Sequence, residues 1–129
     1  GTGVAPFVAI VSDESIMDKY ERVFLVHGVR NWNETQYLQH VLKLQPKLRV
    51  MASVTRDAGA MIDVRIPDAL ESGLLEATAE AEITPQASRV MLCGNPAMVK
   101  AVRAAMRARG IVSPRNGESG QLLAENFWL

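Results

Sequence analysis

The stretch R-V-M-L-C-G-N-P-A-M, residues 89–98, decides the reading of the fold. Its first half is a short apolar run behind an arginine, which predicts a strand over Arg89–Cys93. Asn95 then precedes Pro96. A residue whose side chain can accept from free amides, followed by a proline pre-set for the first helical position, predicts a helix start. Met98, Val99, Val102 and Met106 recur at helical spacing as an inner stripe, and Gly110 supplies the stop. Lys100, Arg103 and Arg107 share another face, which reads as solvated. A strand running straight into a capped helix is the repeating unit of an α/β domain.

Working outward, the same alternation recurs. Arg22 to His27 is β-rich and ends at Gly28. Asn33 is expected to cap a helix, with Glu34 in its first turn and Tyr37, Leu38, Val41 and Leu42 on one face. Leu48 to Thr55 reads as a second strand closing on Arg56. Pro67 to Leu75 reads as a short helix with Leu70 and Leu74 inward, and Glu76 to Pro85 as an acidic surface connection. Residues 115–120 are turn-rich, and Gln121 to Trp128 reads as a last strand. The chain opens with G-T-G-V-A-P-F, in which Gly1 and Gly3 let backbone amides approach an anion and Pro6 suits a first helical turn. Such a turn normally follows a strand. Residue 1 is therefore expected to lie inside a longer natural chain. The fold class expected is α/β, a Rossmann-like three-layer domain over residues 1–129. Its sheet is mainly parallel with about five strands, the first of them missing from this stretch.

Composition narrows the function classes. The 14 Lys and Arg residues balance 14 Asp and Glu, so no charge excess points to nucleic acid or a membrane surface. No apolar run approaches the roughly 20 residues that span a bilayer, and no secretion leader is visible. One cysteine, Cys93, allows no internal disulfide framework. With two widely separated histidines, no metal site is expected. A cytoplasmic location is the default.

Five stretches stand at strand ends or ahead of helices: G-T-G-V-A-P-F, V-H-G-V-R (26–30), S-V-T-R (53–56), L-C-G-N-P-A-M (92–98) and the terminal A-E-N-F-W-L. In a parallel sheet they converge on one edge, the edge where ligands bind. They bring glycine-rich backbone, arginines, a thiol, a carboxylate and two aromatics. That inventory suits a phosphorylated, planar, redox-active ligand and lacks the paired acid and base of hydrolysis.

In this order, and with R-I-P at 65–67 and L-E-S-G at 70–73, the stretches resemble the NADP-binding domain of bacterial ferredoxin–NADP reductases. The resemblance covers essentially the whole chain. It implies a C-terminal NADP-binding domain preceded in the natural protein by an FAD-binding barrel, with ferredoxin or flavodoxin as partner. Hydride would pass between NADPH and FAD, and single electrons between FAD and the carrier, with the domain catalytic only beside its flavin half. By the same resemblance Gly1, Thr2 and Gly3 approach the pyrophosphate. Thr55 and Arg56 hold the 2′-phosphate, Arg65 makes a second phosphate or adenosine contact, and Arg30 adds a third basic position. The chemistry agrees, since a guanidinium can grip phosphate oxygens in pairs and a hydroxyl adds a short bond. Val64 stands where relatives usually carry glycine.

Cys93 would pack beside the nicotinamide, with Gly94 letting the ring approach and Asn95 placing helix-start amides nearby. No histidine adjoins Cys93 in sequence to make it a nucleophile. Glu125 would act as a proton-relay or electrostatic residue. Phe127, a tyrosine in many relatives, would lie on the flavin, with Trp128 toward the FAD adenine. Leu129 extends beyond the usual final aromatic. Met98, His27 and His40 read as structural.

Two other readings remain. An NADH-dependent reductase component of an oxygenase would not need Arg56 and Arg65, because a free 2′-hydroxyl is commonly read by an acidic residue. A non-catalytic nucleotide-binding regulatory module would have no use for Cys93 beside an E-N-F-W tail.

Overall fold

In the computed structural model, which describes residues 5–36 and 45–126, each described strand pairs in parallel with one other. The chain divides into two compact units, 1–66 and 67–129.

In the first unit, helices α1 (Ala5–Val11) and α2 (Glu14–Met17) precede strand β1 (Val23–Val29), a short 3-10 turn (Trp32–Thr35) and strand β2 (Leu48–Val54). Asp13 caps α2, its carboxylate accepting from the Ser15 amide at 2.9 Å and the Ser15 hydroxyl at 2.6 Å. Alternation along β1 buries Leu25, His27 and Val29 on one face. Leu25 and Leu48 meet Val11 and Met17 in a cluster flanked by Phe7, Val8, Val23, Val50 and Ala52. Burying such side chains contributes roughly 1.5–3 kcal/mol each. The two strands pair in step from Val23↔Leu48 to Val29↔Val54, so they end together. After β2 the chain comes back beside the end of that strand, where Ile62 bridges Ser53 in parallel. Val54 donates to the Ile62 carbonyl at 3.0 Å, and the buried Ser53 hydroxyl donates to the Val64 carbonyl.

In the second unit, helix α3 (Ile66–Ser72) starts at the last residue of the first unit, and helix α4 (Leu74–Ala79) follows Gly73. Gly73 has φ +81°, a conformation that glycine adopts without a Cβ penalty, and it breaks the helix in two. Strand β3 (Val90–Gly94) pairs with β4 (Leu122–Asn126), and helix α5 (Pro96–Arg107) connects from β3. Val99, Val102 and Met106 on α5 are buried, as are Leu70, Leu75, Ala79, Ile111 and Leu122. A tight turn with Asn116 at φ +52° and Gly117 at φ +81° links Arg115 to Glu118.

The α/β class with parallel strands is the one expected. The described strands number four, in two pairs, which agrees with an expected sheet of about five whose first strand was not expected in this stretch. Local expectations needed correction at several points. Strand β1 runs two residues past His27, because Gly28 and Val29 keep their ladder partners Ser53 and Val54. The helical start after it is capped at Asn31, not Asn33. One helix over 67–75 is two helices, and Glu76 to Ala79 is helical with Thr78 and Ala79 buried, not a surface connection. On α5, Lys100 and Arg107 are exposed, but Arg103 is half-buried with its Nε shielded from solvent. The helix expected to carry Tyr37, Leu38, Val41 and Leu42 falls outside the described residues, as does His40.

Candidate functional site

The first unit gathers the basic residues. Because β1 and β2 end in step, the residues just past them become neighbours. Thr55 N–H donates to the Val29 carbonyl at 3.3 Å and Arg56 N–H to the Arg30 carbonyl at 2.8 Å, carrying the ladder beyond both strands. Arg65 follows Val64, whose carbonyl is held by Ser53 in the penultimate position of β2, and so belongs to the same end. Arg30, Thr55, Arg56 and Arg65 are all exposed. Among the described residues none of these three guanidiniums enters an ion pair, whereas Arg109 is paired with Glu76. Three cationic groups left facing water beside a hydroxyl can be engaged by a phosphate at little desolvation cost.

The loops bearing these residues are cross-braced by groups that sequence reading missed. Glu34 Oε1 accepts from the amides of Arg30 and Asn31 at 3.2 and 3.1 Å. Asp57 accepts from the Trp32 amide and the Asn31 side chain, and the Trp32 indole donates to the Ala58 carbonyl at 2.8 Å. The available signal was the spacing N-x-x-E over 31–34, a capping pattern that outranks an isolated Asn33.

The second unit holds the thiol and the second glycine. Register places Cys93 opposite Glu125 and Gly94 opposite Asn126 on neighbouring parallel strands. The Cys93 side chain is half-buried. Asn95 has extended backbone at ψ 153°, and its Oδ1 accepts from the Met98 amide at 2.9 Å, so its side chain caps α5 as expected. A Cβ on Gly94 would run into the Met98 methyl, so the thioether lies against the Gly94 backbone. Gly1, Thr2, Gly3, Phe127 and Trp128 lie outside the described residues. Among those described, no group of three or more His, Cys, Asp or Glu side chains is placed to hold a metal ion, and no helix is long and apolar enough to cross a membrane.

Residues 1–104 match the family of oxidoreductase NAD-binding domains. The chain belongs to that family. Within it, the chain is 35% identical to ferredoxin–NADP reductase of Azotobacter vinelandii, and 36% identical to that of Pseudomonas aeruginosa. Both alignments take in 100% of the chain and 55% of the relative. A flavodoxin/ferredoxin–NADP reductase of Escherichia coli is 31% identical over 99% of the chain. In structure the chain is similar to a ferredoxin NADP+ reductase from Neisseria gonorrhoeae solved with bound FAD and NADP. That similarity has a TM-score of 0.89 and 31% identity, and covers 98% of this chain and 52% of the other. The chain thus spans about half the length of the curated relatives it matches. The family match ends within α5, so Arg30, Thr55, Arg56, Arg65 and Cys93 lie inside it and Glu125 beyond it.

Proposed function

We propose that this chain is the NADP(H)-binding, C-terminal half of a ferredoxin/flavodoxin–NADP reductase. One observation carries the reading: Arg30, Arg56 and Arg65 stand with Thr55 at one end of the β1–β2 pair, exposed and without described ion pairs. That donor set fits a phosphate monoester on a nucleotide ribose better than a free 2′-hydroxyl, which needs no cation. The similarity to reductases over the full chain supports the same reading.

In this reading NADPH, when bound, would supply a hydride to FAD held by a companion domain, and single electrons would pass from there to ferredoxin or flavodoxin. The chain's own work is placement. Gly1, Thr2 and Gly3 bring amides to the pyrophosphate, Thr55 and Arg56 grip the 2′-phosphate, Arg65 makes a second contact to that phosphate or to the adenosine, and Arg30 adds charge. Cys93 and Gly94 would form the wall for the nicotinamide, with the Met98 thioether packed against Gly94. Asn95 keeps the first turn of α5 in place through its cap. Glu125, opposite Cys93 in register, serves as the proton-relay or electrostatic group, and Phe127 and Trp128 contact the flavin. Residues 1–129 act as one nucleotide-binding domain, catalytic only beside an N-terminal FAD-binding barrel, in the cytoplasm.

Calorimetric titration with 2′-phospho-AMP and with AMP tests the proposal. Charge-assisted bonds are worth roughly 1.5–3 kcal/mol each, so 2′-phospho-AMP should bind at least about tenfold more tightly. Arg56→Ala should abolish the preference. Equal affinities for the two ligands would overturn the NADP reading in favour of an NADH-dependent sibling.

A further inference from the structure

Asp57 follows Arg56 directly, which places a carboxylate at the edge of a site built from cations. A bare negative charge there would repel an incoming phosphate. Both oxygens of Asp57 are instead engaged by the turn after β1. Oδ2 accepts from the Trp32 amide at 2.7 Å, and Oδ1 accepts from the Asn31 side-chain amide at 3.2 Å. One carboxylate therefore spans the two loops that carry Arg30 and Arg56. The tie is closed on either side. Arg56 N–H donates to the Arg30 carbonyl at 2.8 Å, and the Trp32 indole N–H to the Ala58 carbonyl at 2.8 Å. Glu34 holds the same turn from within by accepting from the Arg30 and Asn31 amides.

We propose that Asp57 is a positioning residue, fastening the exits of β1 and β2 together so that Arg30 and Arg56 address one phosphate group. The inference rests on the 2′-phosphate reading above. Its physical basis is preorganisation: exposed loops that must be ordered on binding take that cost out of the affinity, and loops already tied do not. Asp57 makes no contact with the ligand in this scheme. It acts through the backbone that carries the arginines.

The test separates bracing from charge by sign. 2′-Phospho-AMP and AMP are titrated into the 129-residue chain and into Asp57→Ala, Asp57→Asn and Asn31→Ala, each checked for a cooperative thermal melt. Bracing predicts that Asp57→Ala weakens 2′-phospho-AMP about tenfold while changing AMP by no more than about twofold. Asp57→Asn keeps one acceptor oxygen and recovers part of the loss. Asn31→Ala, which alters no charge and removes one of the two ties, weakens binding less and in the same direction. A charge effect alone predicts the reverse: both Asp57 variants tighten equally, and Asn31→Ala does nothing. Tightened or unchanged affinity in the Asp57 variants overturns the brace and leaves the phosphate site standing. A wild-type chain that binds both ligands equally overturns the phosphate site and the brace with it. Should Asp57→Ala fail to melt cooperatively, the Asp57→Asn and Asn31→Ala arms decide the question alone.

Discussion

Glu76 gives the clearest stability prediction in the chain. Its Oε2 accepts from the Ile83 amide at 2.9 Å, and its Oε1 accepts from Arg109, whose other terminal nitrogen donates to the Leu70 carbonyl at 2.8 Å. Helix α3, helix α4, the segment after it and the residues just past α5 are thereby joined through two side chains. These are 25% exposed at Arg109 and 19% at Glu76, so water screens the pair only in part. Glu76→Ala removes two charge-assisted bonds and leaves a guanidinium and an amide without their partner. Bonds of this type contribute roughly 1.5–3 kcal/mol, and partial access to water returns some of that, so the expected cost is about 2–3 kcal/mol. The slightly better helix propensity of alanine offsets only a few tenths of a kcal/mol. Glu76→Gln keeps an acceptor for Ile83 and should cost about half as much. A double-mutant cycle with Arg109→Ala should return a coupling of about 1 kcal/mol or more. Urea unfolding followed by circular dichroism is the assay. With a slope of about 1–3 kcal/mol per molar, Glu76→Ala should lower the midpoint by about 0.7–3 M. A loss below about 0.5 kcal/mol, the level of an ordinary surface ion pair, would refute the reasoning.

Asn95→Ala should cost about 1 kcal/mol in the same urea assay, because the Met98 amide loses its cap, and Asn95→Asp should retain most of the stability. Binding of 2′-phospho-AMP should weaken more than that of AMP as salt rises from about 0.1 M to about 1 M, which shortens the screening length from about 10 Å to about 3 Å. Parallel titrations with the same slope would count against a charged 2′-phosphate site. The Ser15 hydroxyl is the main cause holding the Asp13 carboxyl below its ordinary value, with the Ser15 and Ile16 amides and Lys19 adding smaller contributions against a desolvation that raises it. A depressed carboxylate stabilises the fold above its unfolded-state value, and that contribution is lost as pH falls through the folded-state value. NMR titration should therefore show the Asp13 midpoint moving upward in Ser15→Ala, and an unmoved midpoint would assign the shift to the backbone amides.

Two relatives match the whole length of the chain, and the motifs that the sequence displays are local. The cap and proline at Asn95 and Pro96, the apolar stripe of Val99, Val102 and Met106, and the β-rich runs at 22–27 and 48–55 each follow from interactions within a few residues. They were legible without coordinates. Arg56 and Arg65 are phosphate-reading candidates through the resemblance that S-V-T-R and R-I-P carry. The Gly73 break and the left-handed Glu80 at φ +55° were not legible, since a single helix through 66–79 satisfies the same apolar pattern as two.

What tertiary structure alone decided is which polar groups meet. Asp57 lies 25 residues from Trp32, and Arg109 lies 33 from Glu76. Each is one of many carboxylates or guanidiniums that read, in sequence, as solvated surface. Apolar residues announce burial by their period, because one face of an element must leave water. A polar side chain finds its partner only after strands in register have brought their ends together, and no local pattern records that pairing.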